Sequence, residues 1–335
     1  MAKIKTDNPN LIYYRDHKTV NDLIQLDKVE ISDGLKERHH LYSLLLMSIV
    51  HFYWNGNKYG KNGSYPMNPT NYPKQHEDYI GHNIAAIAVD AYGAIIDFEF
   101  NHNKLFNSSV EHAEARLVKR IYGLTQINES WKTNLDNTQP LNDYNSFEDV
   151  TIYTSLESCA QCSGIMALAR VKEIIYLQTD PGMYLIGNIL RNLTKAKDGK
   201  KQLNQGKMES PLPISADLFD FNYFDKLNKS YKKFIKEVSI SNPFFIPDSG
   251  DINKIKYDPS ITSFLCTDTA YDIFLTARLE FETIIKTRKL INEQYQPLDR
   301  NGNIIKHAKT NLEVVDEISS FYKYATEFGK RGTPH

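Results

Sequence analysis

Two short motifs restrict the fold of this chain more than any other feature of its sequence. His112-Ala-Glu114 and Cys159-Ala-Gln-Cys162 together contain two of the three cysteines in 335 residues. Cysteines at positions i and i+3 of a helix share one face, so both sulfurs can bind the same metal ion. A helix N-terminus also favours the thiolate form that a metal requires. If His112 is a third ligand, the fold must bring two distant segments to one point.

The residue types in these motifs predict a catalytic Zn²⁺ site with His112, Cys159 and Cys162 as ligands. One imidazole and two thiolates leave the fourth tetrahedral position open for water, whereas a structural zinc site is closed by a fourth protein ligand. Zinc lowers the pKa of bound water, which yields hydroxide near neutral pH. Glu114 is placed to move the proton. This chemistry predicts hydrolytic deamination, in which hydroxide adds to an amidine-like ring carbon and ammonia leaves.

Three other interpretations of the cysteine pair were compared with this one. A closed structural site lacks a convincing fourth ligand in the sequence. A thioredoxin-like redox motif would leave His112-Ala-Glu114 and the hairpin before it unexplained. A non-catalytic zinc-binding partner subunit stays open as an alternative, although the presence of Glu114 argues against it.

The motifs resemble those of the cytidine deaminase superfamily, whose signature is H-x-E followed by P-C-x-x-C. Within it the chain is most similar to the tRNA adenosine deaminase branch. The matching segments are His112-Ala-Glu-Ala-Arg116, residues 153–164 and 165–171, the strand that follows, and a hairpin upstream of His112. They cover roughly residues 36–190. The chain differs in having Ser158 where the family usually has Pro, and in a longer gap between His112 and Cys159.

The resemblance implies an α/β fold, a three-layer α/β/α sandwich around a mixed five-stranded sheet, commonly assembled into dimers or higher oligomers, and we expect a homodimer here. In the family an Asn upstream of the metal-binding His contacts the substrate. Asn101 is the best match to it here, and Asn103 is the competitor. The candidate substrate-binding residues are therefore Asn101, Ala113 through its backbone, His102 and Ser158.

The pattern of apolar and turn residues predicts the order of the elements. A helix over 35–54 is apolar on most faces and is expected to pack between layers. A hairpin of strands 84–89 and 94–100 surrounds a glycine turn. Ser108-x-x-Glu111 is a possible capping box that opens a helix through Tyr122. A strand at 150–153, a helix at 158–170 and a strand at 173–177 suggest parallel pairing. Further helices are predicted at 219–238, 270–294 and 312–328.

These elements suggest a division into three parts. Residues 1–35 form an N-terminal extension, 36–195 a deaminase domain with a polar insertion at 125–148, and 196–335 a mainly helical C-terminal extension of unknown role. Residues 55–82 and 191–210 have the composition of loops or linkers.

The composition bears on the cellular compartment of the protein and on its attraction to nucleic acid. Three cysteines argue against a disulfide scaffold and fit a reducing compartment. The N-terminus lacks an apolar signal core, and residues 41–54 are too short and polar to span a bilayer. We expect a cytoplasmic protein with no membrane segment. The net charge of −1 gives no overall attraction to nucleic acid, but residues 191–236 contain eleven Lys or Arg against five Asp or Glu.

The first functional hypothesis is therefore deamination of a nucleobase, adenine or cytosine, in RNA or single-stranded DNA, tRNA editing included. The base would be unstacked into the zinc pocket, with Glu114 as the proton shuttle. The alternative is a deaminase of a free base, nucleoside or nucleotide, such as guanine, cytosine or cytidine. Relatives of that kind are usually shorter, so the C-terminal extension would need another purpose.

Overall fold

Five strands form one mixed sheet, which positions the two motifs. In the computed structural model, residues 12, 19–26, 28–54, 81–133, 147–183, 185–194, 210–240, 260–299 and 302–328 are described. The strand order is β2-β1-β3-β4-β5. Strand β1 is antiparallel to β2 and β3, whereas β3, β4 and β5 run parallel. The strands are β1 Ala85–Val89, β2 Ile95–Phe100, β3 Thr151–Thr154, β4 Glu173–Tyr176 and β5 Leu212–Ser215.

Helices pack on both faces of this sheet. The helices are α1 Val20–Ile24, α2 Asp33–Phe52, α3 Ala113–Thr133, α4 Ala160–Leu168, α5 Ile186–Thr194, α6 Asn222–Ile240, α7 Ile261–Phe264, α8 Asp268–Thr287 and α9 Asn311–Phe328. None of those in the described ranges is long and apolar enough to cross a membrane.

Alternate residues of the strands contact different helices, which defines the layers. Thr154 of β3 bonds to Glu114 of α3, so α3 lies on one face. Tyr153, the preceding residue of the same strand, bonds to His39 of α2 on the other face. Successive side chains of a strand point to opposite faces, so these contacts establish a helix layer on each side. The predicted α/β/α sandwich with a mixed five-stranded sheet is confirmed.

The predicted hairpin is confirmed as β1 and β2. Asp90 caps the turn, because its Oδ1 accepts hydrogen bonds from the backbone N–H groups of Tyr92 at 2.9 Å and Ala94 at 2.8 Å. Gly93 has φ +87°, a left-handed conformation that glycine adopts at the lowest cost. The turn fixes the register of β2, whose end leads to the first motif.

Helix α2 lies between the sheet and α8, as predicted for residues 35–54, while α9 packs beside α2 and also contacts β2. Its last turn is followed by Trp54, whose ring centroid lies 5.5 Å from that of Phe274 in α8. On α9, Phe321 lies 5.7 Å from Phe98 of β2. Both Trp54 and Phe274 are completely buried. The C-terminal helices thus complete the hydrophobic core of the sheet domain.

The fifth strand lies outside the predicted deaminase domain of residues 36–195. Leu212–Ser215 pairs with β4 in parallel register, with Ile214 opposite Ile175. The boundary at 195 is therefore too early, because the segment assigned to the C-terminal extension supplies an edge of the central sheet. The division into three parts otherwise stays a prediction.

Two local predictions need correction, and several lie partly outside the described residues. Ser108 and Glu111 do not form a capping box, since α3 begins only at Ala113 and the Ser108 hydroxyl accepts a bond from Val110 instead. Helix α3 continues to Thr133, so the predicted insertion 125–148 begins inside a helix. Residues 134–146, most of the loop 55–82 and most of the linker 191–210 lie outside the described residues.

Candidate metal centre

His112 is held at the junction between the end of β2 and the start of α3. The backbone N–H of Ala113 donates to Oδ1 of Asn101 at 2.7 Å, and the N–H of His102 donates to the carbonyl of Glu111 at 2.9 Å. These two bonds tie the chain just after β2 to the first turn of α3. His112 is therefore presented at the end of the sheet by backbone geometry.

The two cysteines reach the same point from the start of α4. Cys159 is the N-cap residue of this helix, and Cys162 is buried in its first turn. The Nδ1 atom of His112 lies 3.3 Å from Sγ of Cys159 and 3.6 Å from Sγ of Cys162. All three donor atoms lie within 4.8 Å of one another. The structure brings together the three predicted ligands.

The donor set fits zinc in chemistry and in geometry. In a tetrahedral site with Zn–S of about 2.3 Å and Zn–N of about 2.0 Å, a sulfur and a nitrogen lie roughly 3.5 Å apart. The observed separations of 3.3 and 3.6 Å agree with that edge length. No fourth His, Cys, Asp or Glu of the described ranges joins the group. Three protein ligands are the number found in catalytic zinc sites.

The pKa values of Cys159 and Cys162 shift in opposite directions because the two side chains are hydrogen-bonded to each other. Hydrogen bonds from Cys162 and from His112 stabilise the thiolate of Cys159 and lower its pKa to about 4. The pKa of Cys162 is raised, because it donates to Cys159 and is buried. The bond to Cys159 likewise raises the pKa of His112. A bound cation would take the place of the protons that these donor atoms hold.

Glu114 is buried beside the three ligands, in the first turn of α3. Its Oε1 accepts hydrogen bonds from the hydroxyls of Thr154 at 3.1 Å and Ser158 at 3.0 Å. Its Oε2 lies 3.3 Å from Sγ of Cys162. Burial raises the pKa of the carboxyl. A carboxyl with a raised pKa and a fixed orientation is suited to accepting and returning a proton.

The candidate substrate-binding residues occupy different positions around this centre. Asn101 is buried, and the bond from Ala113 fixes its Oδ1, which leaves the amide N–H₂ as the donor side of the group. Asn103 instead donates to the carbonyl of Ser108 in the following turn. The structure therefore places Asn101, and not Asn103, next to the motif. His102 is fully buried and bonds through Nδ1 to the carbonyl of Phe100.

Ser158 contacts Glu114 and does not cap α4. Pro at this position would pre-set the start of the helix, and a Ser hydroxyl could cap it instead. The observed N-cap is Cys159, and the Ser158 hydroxyl donates to Oε1 of Glu114. The departure from the usual Pro therefore adds a hydrogen bond to the carboxyl.

Sequence reasoning missed two groups that support the centre. Thr154 orients Glu114, but nothing in the run Thr151–Thr154 distinguishes it from the other buried residues of β3. Arg116 of α3 bonds to Glu99 of β2 at 3.3 Å and to Glu111 at 2.7 Å. This ion pair, largely buried, holds the first turns of α3 against the sheet. The sequence signal for this ion pair is that Arg116 belongs to the matching segment His112-Ala-Glu-Ala-Arg116.

A third supporting group is Glu157, whose carboxylate accepts a hydrogen bond from the backbone N–H of Asp180 at 3.0 Å. Burial raises the pKa of Glu157 to about 7. The bond ties the loop after β4 to the segment that carries Cys159. The two loops at this end of the sheet are thus linked beside the ligands.

Comparison with known proteins agrees with this geometry. Residues 69–178 match the family described as the cytidine and deoxycytidylate deaminase zinc-binding region, and the match includes all three ligands and Glu114. It covers about a third of the chain. No curated protein matches the chain at a significant level.

Several solved structures resemble parts of the chain. A tRNA:A34 deaminase, which edits A to I at the wobble position of transfer RNA, is 18% identical and covers 40% of this chain and 82% of its own, with a TM-score of 0.26. A guanine deaminase from Bacillus subtilis is 26% identical and covers 29% and 50%, with a TM-score of 0.23. A guanine deaminase from Nitrosomonas europaea is 14% identical and covers 65% and 91%, with a TM-score of 0.28.

The family match and the ligand geometry bear on the same residues. The matched segment runs from before β1 to just after β4 and includes both motifs. The group formed by His112, Cys159 and Cys162 lies inside the segment that the family description calls a zinc-binding region. Residues 69–178 are thus similar to the zinc-binding region of cytidine and deoxycytidylate deaminases, and they contain the one His/Cys/Cys group of the described ranges.

Proposed function

We propose that this protein hydrolytically deaminates adenine or cytosine in RNA or single-stranded DNA, with Glu114 as the proton shuttle. The observation that carries the proposal is the buried carboxyl of Glu114 beside a three-ligand metal centre. A non-catalytic zinc-binding subunit would have no need for this carboxyl, because burying it costs free energy that only its use or its hydrogen bonds offset.

The chemistry follows from the orientation of Glu114. Zinc, when bound, supplies the Lewis acidity that makes water nucleophilic near neutral pH. Thr154 and Ser158 hold Oε1, so Oε2 is the carboxylate oxygen nearest the metal ligands and takes the proton of the attacking water. Glu114 then returns that proton to the ring nitrogen and carries the second proton, from the hydroxyl group added to the ring carbon, to the exocyclic amine. A carbon–oxygen bond forms, the exocyclic carbon–nitrogen bond breaks, and ammonia leaves.

The same arrangement supports roles for the neighbouring residues. We assign base contacts to the amide of Asn101, whose orientation the Ala113 N–H fixes, and to the backbone at Ala113. Ser158 contributes through its hydrogen bond to Glu114. His102 lies next to Asn101, and its backbone is tied to Glu111.

A polymeric substrate is favoured by the position of the lysine-rich helix α6. The backbone N–H of Thr179, in the loop after β4, donates to Oδ1 of Asn228 in α6 at 3.3 Å. The same loop bonds to Glu157, two residues before the ligand Cys159. Helix α6 therefore lies at the metal end of the sheet. Its exposed lysines could follow a phosphate backbone; they are Lys226, Lys229, Lys232, Lys233 and Lys236.

The alternative, a deaminase of a free base, nucleoside or nucleotide, is favoured by the charge balance. Lys229 pairs with Asp225 at 2.6 Å and Lys233 with Glu237 at 3.6 Å, which offsets part of the positive charge of α6. The net charge of the whole chain is −1. A small substrate would need none of these lysines.

Replacing Glu114 with Gln tests catalysis. Zinc-loaded wild type and the variant are incubated with adenosine, cytidine, guanine, cytosine, tRNA and single-stranded oligonucleotides, and ammonia is measured. We expect kcat to fall by a factor of about 10² to 10⁴ while zinc content is unchanged, because only the shuttle is lost. Glu327→Gln, which changes an exposed carboxylate on α9, is the matched control. Full activity in Glu114→Gln would disprove the mechanism.

Replacing Lys232 with Glu separates the two substrate classes. For a polymeric substrate we expect kcat/KM to fall several-fold and to depend less steeply on salt, since a phosphate contact is lost. Activity on nucleosides should not change. Lys286→Glu on α8 is the control, because it makes the same charge change on another helix. Activity of wild type on small molecules alone would refute the polymeric substrate and leave the deaminase intact.

The proposal also includes a homodimer, as the resemblance implies, and a cytoplasmic location, as the low cysteine content suggests. Light scattering coupled to size-exclusion chromatography measures the mass of the assembly. A mass of one chain at micromolar concentration would contradict the dimer.

A further inference from the structure

A cavity of about 470 Å³ lies at the end of the sheet opposite the metal centre. It is lined by Val89 at the end of β1, Thr151 at the start of β3 and Glu173 at the start of β4. Glu114 contacts Thr154, at the other end of β3. The cavity is therefore separate from the zinc-binding residues, and the proposed deamination does not use it.

Two buried donor groups line this cavity without protein partners for all their polar atoms. Arg38 is 5% exposed, and its Nη1 donates to the carbonyl of Lys309 at 2.9 Å. His39 is 2% exposed, and its Nδ1 bonds to the hydroxyl of Tyr153 at 2.9 Å. Within the described ranges, Nη2 of Arg38 and Nε2 of His39 have no hydrogen-bond partner.

Unsatisfied buried polar atoms cost free energy, so two of them on residues that line one cavity call for a partner. Each such group costs about 1–3 kcal/mol when it is left unpaired. The two atoms belong to successive residues of α2 that both line the cavity, which indicates a site that a bound polar molecule completes. The volume lies within the range of about 300–1,000 Å³ typical of small-molecule sites.

The charges around the cavity select against a phosphate. Two basic residues, Arg38 and Lys172, line it, but so do four acidic ones, and the excess of carboxylates would repel a phosphate group. These carboxylates are instead acceptors for ligand N–H groups. The acidic residues are Asp90, Asp149, Glu173 and Asp299.

The remaining walls are flat or aliphatic. Tyr42 and Tyr153 line one side, and Leu35, Val150 and Leu298 contribute aliphatic surface. Aromatic and aliphatic walls bind the faces of planar rings, while the guanidinium of Arg38 can donate to a carbonyl or ring nitrogen at the edge. The combination therefore suits a planar molecule that has both donors and acceptors.

From these features we infer that the cavity is a second binding site, which takes an uncharged nitrogen heterocycle of nucleobase or nucleoside size. The ligand accepts a hydrogen bond from Arg38 and donates to the carboxylates. It lies between the sheet and the short β-bridge formed by Leu298 and Ile304 in the C-terminal region. This inference stands on the cavity itself and does not depend on which substrate the zinc centre deaminates.

Titration calorimetry with hypoxanthine, uracil, inosine and uridine tests the site on the zinc-loaded full chain. Hydrogen exchange measured in parallel locates the bound molecule. We expect at least one probe to bind and to protect residues 35–42 and 297–305. Binding of none of the four, or protection only at residues 112–114 and 159–162, would overturn the inference. The second outcome would still support the deaminase.

A matched pair of variants tests the position of the site. Leu298→Trp fills the cavity from a partly exposed position and should weaken binding at least tenfold. Ile304→Trp adds the same ring to the bridge partner of Leu298, which does not line the cavity, and should leave affinity unchanged. Equal effects of the two variants would contradict the assignment.

Arg38→Lys tests the chemistry of recognition. The lysine keeps the positive charge but lacks the planar guanidinium with its several N–H donors. We therefore expect the carbonyl-bearing probes to bind more weakly, while deaminase activity is retained. Inosine 5′-monophosphate tests the charge argument, since its phosphate should reduce affinity at least tenfold relative to inosine. Equal or tighter binding of the monophosphate would show that the ligand class is wrong.

Discussion

The two faces of the sheet are built from different chemistry, although the same strands supply both. On the α3 face, charged side chains link the layers, and Arg120 bonds to Asp97 at 2.5 Å. On the α2 face the contacts are mostly between aromatic rings, such as Phe98 with Phe321 and Trp54 with Phe274. Alternate residues of β2, Asp97 and Phe98, belong to the two sets.

This difference separates the face that carries Glu114 from the face that contributes most of the aromatic packing. Ion pairs fix direction and distance, which a metal centre requires, but their net contribution to stability is small after desolvation. Aromatic packing contributes area and stability without precise orientation of polar atoms. Substitutions on the two faces should therefore differ in what they damage.

The largest effect is expected on the aromatic face. Phe274→Ala removes a fully buried ring that packs on Trp54, and it should lower the free energy of unfolding by about 3–5 kcal/mol. Urea denaturation measures the change. Zinc content at low temperature should stay at one ion per chain, since α8 does not touch the ligands. Leu279→Ala, exposed on the same helix, is the control, and an equal loss there would contradict this view.

A smaller effect is expected on the charged face. Arg120→Met leaves the carboxylate of Asp97 buried without its main partner, which costs about 3 kcal/mol, at the low end because Arg120 is partly exposed. The double variant Arg120→Met with Asp97→Leu should recover most of the loss. Arg278→Met, which breaks a surface pair with Glu282, should change stability by less than about 0.5 kcal/mol. Failure of the double variant to recover would argue against a buried charge as the cause.

The smallest effect is a dependence of stability on pH. Burial lowers the pKa of His39 to about 4, against an ordinary value of 6.5. The neutral form is thus favoured in the folded state, so its contribution is complete above pH 6.5 and is lost as the pH falls toward 4. Between pH 7 and pH 5 the loss amounts to about 2 kcal/mol.

Chemical denaturation at pH 7 and pH 5 checks this expectation. His39→Gln should show a pH dependence about 2 kcal/mol weaker than wild type. His51→Gln should behave in the same way, because burial also lowers the pKa of His51 to about 4. Identical pH dependence in wild type and both variants would show that neither histidine is buried in its neutral form.

The metal ligands could be predicted from sequence because coordination chemistry restricts both residue type and spacing. His112, Cys159 and Cys162 needed no knowledge of the sheet that unites them. The contact of Thr154 with Glu114 could not be predicted, since every residue of β3 is buried and no alternation marks its faces.

Two features of the fold escaped prediction for physical reasons. Strand β5 contains Pro213, which cannot donate to a neighbouring strand and normally argues against a strand. Here β5 is the last strand of the sheet, where one side needs no partner. The packing of α8 and α9 on α2 could not be predicted from the local sequence either. An amphipathic pattern shows that a face of a helix is buried, but it does not identify what covers that face.

The enclosure of α2 has a consequence for synthesis on the ribosome. Tyr53, just after α2, donates its hydroxyl to backbone carbonyls of Ala325 and Thr326, more than 270 positions later. Contacts of such long range form slowly, and until they form an apolar surface is available to chaperones or to aggregation. Nascent chains should therefore remain incompletely folded until translation has passed α9, and early termination there should yield insoluble product.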